Sequence, residues 1–188
     1  MRNIFFNRAL KILLITNSLI MTASAMLGPI YALFVEKIGG NLLDASIAGG
    51  VFAFAAGITT LISGRYTDRT KEKQKIVVFG YFLIGIGFLL YIFVNSIWFL
   101  FFVQILIGFA QALCSPAFDA LYSKHITKTR RGIEWGEWEA SSYFSSAFGA
   151  VIGGVIVSLF GFNMLFIIMA FFCFSSSLYL CFLPKRIL

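Results

Sequence analysis

Six long apolar runs alternate with short polar breaks, at about 12–35, 42–64, 76–94, 97–121, 138–159 and 162–183. A helix across the hydrocarbon core of a bilayer needs about 20 residues, and each run approaches or exceeds that. The runs are too long and too continuous for barrel strands. Backbone groups in lipid must bond to one another, so helices are the economical reading. The pattern predicts an all-α integral membrane protein: one bundle over residues 1–188 with six transmembrane helices.

The breaks differ in chemistry. Glu36 to Leu43 contains a Gly39-Gly40-Asn41 turn, with Asp44 placed to cap the second helix. Asn95-Ser96 joins helices three and four, and Gly161-Phe162-Asn163 joins five and six. The other segments are basic: Arg2, Arg8 and Lys11; Arg65, Arg69, Lys71, Lys73 and Lys75; Lys124, Lys128, Arg130 and Arg131; Lys185 and Arg186. Fourteen of the 15 Lys and Arg residues therefore fall on one side, with Lys37 on the other. The positive-inside rule then predicts a multi-pass protein of the cell membrane with both termini cytoplasmic. Trp135 and Trp138 at the start of helix five, and Trp98 at the start of helix four, sit where interfacial anchors are expected.

The start of the chain has two readings. Arg2, Arg8 and Lys11, the apolar stretch 12–20 and Ala23-Ser24-Ala25 resemble a cleavable leader. The apolar character continues to Val35, which favours an uncleaved first helix.

Composition agrees with the pattern. Only 12% of residues are charged and mean hydropathy is +0.91, against about 25% charged in soluble domains. The net charge of +7 is confined to short segments between apolar runs, which argues against nucleic acid as a partner. Cys114, Cys173 and Cys181 lie in apolar runs without metal-ligand spacing and read as small buried hydrophobes.

Small residues recur at spacing four in helix five (Ser142, Ser146, Ala150, Gly154) and in helix two (Ser46, Gly50, then Ala53 and Gly57). Such stripes allow close helix approach, so helices two and five are expected to pack against protein. Helix six is Phe-rich and is expected at the periphery.

Few polar residues interrupt the spans. Asn17, Ser24 and Tyr31 share a face of helix one, and Gln104, Gln111 and Ser115 share a face of helix four with Asp119 at its edge. Buried polar groups are costly unless paired or hydrated. Two such stripes fit either a water-filled cavity or hydrogen bonds that join helices. Asp119 reads as a static partner of loop cations ahead of a proton carrier. Glu134 and Glu137 read as solvated charges at a helix start, and His125 as a solvated loop residue. Ser175, Ser176 and Ser177 are expected to bond to carbonyls one turn back. Pro29 and Pro116 are expected to kink their helices. An enzyme is not predicted. The single His lies in a loop, and no paired carboxylates or His/Cys/Asp clusters occur within the spans.

The segment 63–75 carries seven charges between two apolar runs. Within it, Gly64, Asp68, Arg69 and Lys73 stand at the spacing of the signature that follows helix two in the major facilitator superfamily. Lys71 and Glu72 depart from that signature, replacing a Gly and a basic residue. Gly149, Gly153 and Gly154 in helix five resemble a second motif of the same family, with Ala150 where that motif has Pro. Gln104 and Gly108 resemble a third, with Gln104 in place of Arg. Gly28-Pro29 resembles the drug-exporter branch. The chain thus resembles the amino-terminal six-helix half of a major facilitator superfamily transporter across all six runs.

The resemblance implies a 3+3 inverted repeat, echoed weakly by Gly28-Pro29 and Ser115-Pro116 and by Asp44-Ala45-Ser46 and Glu139-Ala140-Ser141. It implies secondary transport of a small solute by alternating access, with helices one and four lining the path and two and five facing a second half. Helices three and six would face lipid. The charged segment would act as an inner latch. No cofactor is implied, and proton or ion coupling stays open. The expected partners are the lipid bilayer, a small-molecule substrate, and either a second copy in a homodimer or another six-helix half. The alternative is a truncated or accessory six-helix protein that moves no solute.

Overall fold

The computed structural model describes residues 8–184, so Arg2, Lys185 and Arg186 lie outside the described residues. The apolar runs are helical, and no strand occurs among the described residues. Helix α1 spans Arg8–Leu27, followed by a 3-10 turn at Gly28–Ile30 and by α2 at Tyr31–Lys37. Then come α3 (Leu42–Arg69), α4 (Lys73–Leu90), a 3-10 turn at Tyr91–Phe93, α5 (Ile97–His125) and α6 (Arg131–Cys181). Five helical segments, with α1 and α2 counted together, are long and apolar enough to cross a membrane.

Local chemistry explains the ends. Pro29 removes a backbone donor, and the first helix breaks into a 3-10 turn there. Pro116, by contrast, sits inside an α5 that continues to His125. Asn41, rather than Asp44, is the N-cap of α3. Its Oδ1 accepts from the amides of Leu43 at 2.8 Å and Asp44 at 3.1 Å. Asp44 closes the box by accepting from the Asn41 amide at 2.9 Å. Charged residues can stay helical outside hydrocarbon, so α3 runs past Gly64 through Asp68 and Arg69.

Helix α6 has 51 residues. Drawn straight it would be about 75 Å long, against a hydrocarbon core of about 30 Å. It is broken at Gly161, whose φ of 79° and ψ of 176° are non-helical and need a residue without Cβ. Ser141 on the first arm meets Ser18 of α1 at 2.5 Å. Ser176 on the second arm donates to the carbonyl of Thr16 at 3.1 Å. A straight helix would separate Ser141 and Ser176 by about 50 Å. Both instead touch the same turn of α1, so the arms run back alongside each other.

Helix α1 packs mainly on α6, α3 on α5, and α4 on both α5 and α6. Glycines mark the tightest approaches. A Cβ at Gly149 would lie 2.6 Å from the Thr22 carbonyl oxygen, and one at Gly153 would overlap the Met26 carbonyl. A Cβ at Gly108 would lie 2.5 Å from the Phe52 carbonyl oxygen, and one at Gly80 would overlap Cys114.

Helix α3 rests on α5, and a Cβ at its Gly50, Gly57 or Gly64 would meet nothing within 4 Å, so these glycines are not used in that contact. Two packing expectations need correction. The second arm of α6 is not wholly peripheral: Phe166 is fully buried and stacks with Tyr91 at 5.0 Å. Phe34 joins that cluster, 5.0 Å from Phe166 and 5.4 Å from Phe162. Finally, Ser176 and Ser177 bond across to Thr16 and Val78 rather than to their own preceding turn. A hydroxyl buried at a helix contact can satisfy a neighbour's carbonyl as readily as its own.

These contacts separate two adjacent glycines. Gly153→Ala should destabilise the protein by at least about 2 kcal/mol, because a backbone carbonyl cannot move aside. Gly154→Ala meets open space and should be neutral or stabilising by up to about 1 kcal/mol. Denaturant titration in micelles measures both.

Candidate functional site

The polar residues of the first and fourth apolar runs divide into a buried set and an open set. Gln104 is 7% exposed and joins two helical segments. Its Nε2 donates to the Tyr31 hydroxyl at 2.5 Å, and its Oε1 accepts from the Tyr91 hydroxyl at 3.2 Å. Tyr91 sits in the 3-10 turn after α4, so one amide ties α2, α4 and α5 together. Asn17 belongs to a different contact: its Oδ1 accepts from the hydroxyl of Tyr81 on α4 at 3.3 Å. Tyr81 is 1% exposed, and that bond satisfies its buried hydroxyl.

Ser24, Gln111, Ser115 and Asp119 form the open set. All four are exposed, and their side chains make no hydrogen bond or ion pair among the described residues. Gln111, Ser115 and Asp119 follow one another at spacing four, one above the next along a single face of α5. The structure therefore brings Tyr31 and Gln104 together, turns Asn17 toward α4, and leaves Ser24, Gln111 and Asp119 uncovered.

The charged motif is likewise uncovered. Asp68 and Arg69 are exposed in the last turn of α3, and neither forms an ion pair among the described residues. Lys73 Nζ donates to the Thr70 carbonyl at 2.8 Å, closing the turn between α3 and α4. Among the described residues, Lys75 pairs with Glu72 at 2.5 Å. Gly149 and Gly153 lie against α1, whereas Gly154 faces open space.

Several structural residues escape a one-dimensional reading. Glu134 is 6% exposed rather than a solvated charge. Its carboxylate accepts from the Thr127 amide at 2.6 Å, and its carbonyl accepts from the Tyr122 hydroxyl at 2.5 Å. It thereby pins the basic segment between α5 and α6. Ser63 donates to the Ala112 carbonyl at 2.7 Å and fastens α3 to α5. Gln74 donates to the carbonyls of Leu180 and Leu183 at 2.7 and 3.1 Å. Among these, Gln74 alone had a sequence signal, as an uncharged amide inside a run of cations. No cluster of three or more His, Cys, Asp or Glu residues suited to a metal ion occurs among the described residues.

Residues 13–187 match the family profile described as Major Facilitator Superfamily. The chain is 26% identical over 159 residues to an uncharacterised MFS-type transporter of Methanocaldococcus jannaschii, covering 85% of this chain and 40% of that protein. It is 27% identical over 179 residues to the MFS-type transporter YuxJ of Bacillus subtilis, covering 92% and 45%. It is 24% identical over 171 residues to the multidrug resistance protein MdtG of Enterobacter lignolyticus, covering 89% and 41%. The chain thus spans less than half the length of these curated relatives.

The Gln104 junction makes a thermodynamic prediction. Gln104→Leu leaves the buried Tyr91 hydroxyl without an acceptor and should cost about 1–3 kcal/mol. Tyr91→Phe in the same background removes the stranded hydroxyl and should recover most of that loss. A double-mutant cycle measured by unfolding in micelles gives the coupling.

Proposed function

The chain belongs to the major facilitator superfamily, whose members are transporters and not enzymes, and we propose that it acts as a six-helix half-unit of a secondary transporter. In this reading it moves a small solute across the cell membrane by alternating access, in concert with a second half. That half is either a second copy of this chain or another six-helix unit.

One observation carries the reading. The bundle leaves Ser24, Gln111, Ser115 and Asp119 uncovered along two of its spans. An ionisable group at membrane depth is tolerated where it faces water or protein, not lipid. A solute path between two halves supplies that environment. Asp68 and Arg69 support the same reading, because both are exposed and form no ion pair among the described residues. A latch that closes on another half needs that arrangement.

The doubling back of α6 at Gly161 supports six spans, arranged as a 3+3 inverted repeat. The basic segments then lie on the cytoplasmic side with both termini. Among the relatives, MdtG is named a multidrug resistance protein, which favours export of a small organic solute.

Flux of a fluorescent lipophilic cation in proteoliposomes tests the proposal. The wild type should move the dye. Asp68→Asn should fold but transport at least about tenfold more slowly, a barrier change of about 1.4 kcal/mol. Wild-type flux in Asp68→Asn would reduce the motif to a topological turn. Absence of flux or counterflow for every solute tested would overturn the transporter reading.

A further inference from the structure

At the basic end of the bundle, a cleft of about 1160 Å³ opens between the α3–α4 turn, the end of α5 and the second arm of α6. Its rim and its wall have different chemistry. The rim holds Arg69, Lys71, Lys73, Lys75 and Lys124 against two carboxylates, Asp68 and Glu72. The wall is apolar and includes Phe79, Phe82, Phe174 and Leu178.

The walls are held in place. Gln74 donates to the carbonyls of Leu180 and Leu183, and Ser177 donates to the carbonyl of Val78 at 2.8 Å. These three bonds tie α4 to the second arm of α6 and to the residues just after it. Phe82 and Phe174 meet at 5.4 Å between ring centroids. Even so, Phe79 and Phe82 remain 51% and 46% exposed, directly beneath the rim.

The cations are unevenly committed. Lys75 is paired with Glu72, and Lys73 is bonded to the Thr70 carbonyl. Lys71 and Lys124 are exposed and make no ion pair or hydrogen bond among the described residues. A soluble anion would use the rim and leave the phenyl rings wet. A hydrocarbon chain alone would use the wall and leave the cations unanswered. A phospholipid with a net negative headgroup uses both, and basic pockets between helix ends at a membrane face suit such headgroups.

We propose that this cleft seats one anionic phospholipid. Its phosphate lies between Lys71 and Lys124, and an acyl chain runs along Phe79, Phe82 and Phe174. Because a headgroup stays at the membrane interface on either side, the assignment is independent of the transport reading.

The test is native mass spectrometry of the chain released from nanodiscs of phosphatidylcholine with phosphatidylglycerol. The wild type should retain one phosphatidylglycerol in preference to phosphatidylcholine. Each interfacial lysine contributes about fivefold, so Lys71→Gln with Lys124→Gln should lower phosphatidylglycerol retention by roughly 25-fold. Lys37→Gln, at the other end of the bundle, should change nothing. Equal retention of the two lipids, or an unaffected double variant, overturns the proposal. Should the double variant fail to fold, salt dependence in the wild type decides. Phosphatidylglycerol retention should fall between about 50 mM and about 500 mM NaCl, and salt-insensitive retention overturns the assignment. Glycerol phosphate, the headgroup without its chains, should displace nothing. Displacement by it, or by an acidic peptide, would reassign the cleft to a soluble anion or a protein segment.

Discussion

Lipid chains are as apolar as leucine, so two helices in a bilayer gain little from hiding apolar side chains against each other. What they gain comes from close packing and from hydrogen bonds across the contact. Both devices recur at the helix contacts of this bundle. Gly149 and Gly153 bring the first arm of α6 onto the backbone of α1, Gly108 brings α5 onto α3, and Gly80 brings α4 onto α5. Beside these contacts, hydroxyls reach a neighbouring helix: Ser141 to Ser18, Ser176 to Thr16, and Ser63 to Ala112. At Gly149, Gly153 and Gly108 a methyl group would meet a neighbouring backbone carbonyl. The glycine contacts therefore set which faces of each helix are consumed inside the bundle, and so which faces are left for everything else.

The remaining faces carry the residues of the proposed path and latch. Once α5 has spent one side on α3 and α4, its row of Gln111, Ser115 and Asp119 is left open. After α3 has rested on α5, its Gly50, Gly57 and Gly64 edge has no neighbour. The last turn of α3 leaves Asp68 and Arg69 exposed. Gln104 behaves differently. Its amide is used up by Tyr31 and Tyr91, so it acts as a junction between helices and not as an open polar group. The cleft beneath Lys71 and Lys124 likewise follows from how α4 and α6 are tied at their ends.

Much of this was legible in the amino-acid order, for a simple reason. A bilayer demands apolar length, and length is one-dimensional. The runs, their polar breaks and the family signatures at Gly64, Asp68 and Arg69 needed no tertiary information. Which neighbour a face meets did need it. Asn17, Ser24 and Tyr31 recur at spacing seven, but a heptad row drifts by about 20° per repeat around a straight helix. The structure sends Asn17 to Tyr81, leaves Ser24 open and gives Tyr31 to Gln104. Small residues were equally ambiguous, since glycine permits close approach without requiring it. Gly153 is used in that way and Gly154 is not. The burial of Glu134 depends on the Thr127 amide and the fold of one loop, which no periodicity encodes. Phe166 entered the core because Phe34 and Tyr91 surround it, although its helix reads as uniformly phenylalanine-rich.

The central claim is that the open row on α5 faces a hydrated path between two halves and not lipid. Single cysteines at Gln111, Ser115 and Ile105, introduced in a Cys181→Ser background and challenged with a charged, membrane-impermeant thiol reagent, test it most directly. The account predicts labelling at positions 111 and 115 and none at the exposed apolar position 105. Protection of 111 and 115 to the same degree as 105 would contradict it.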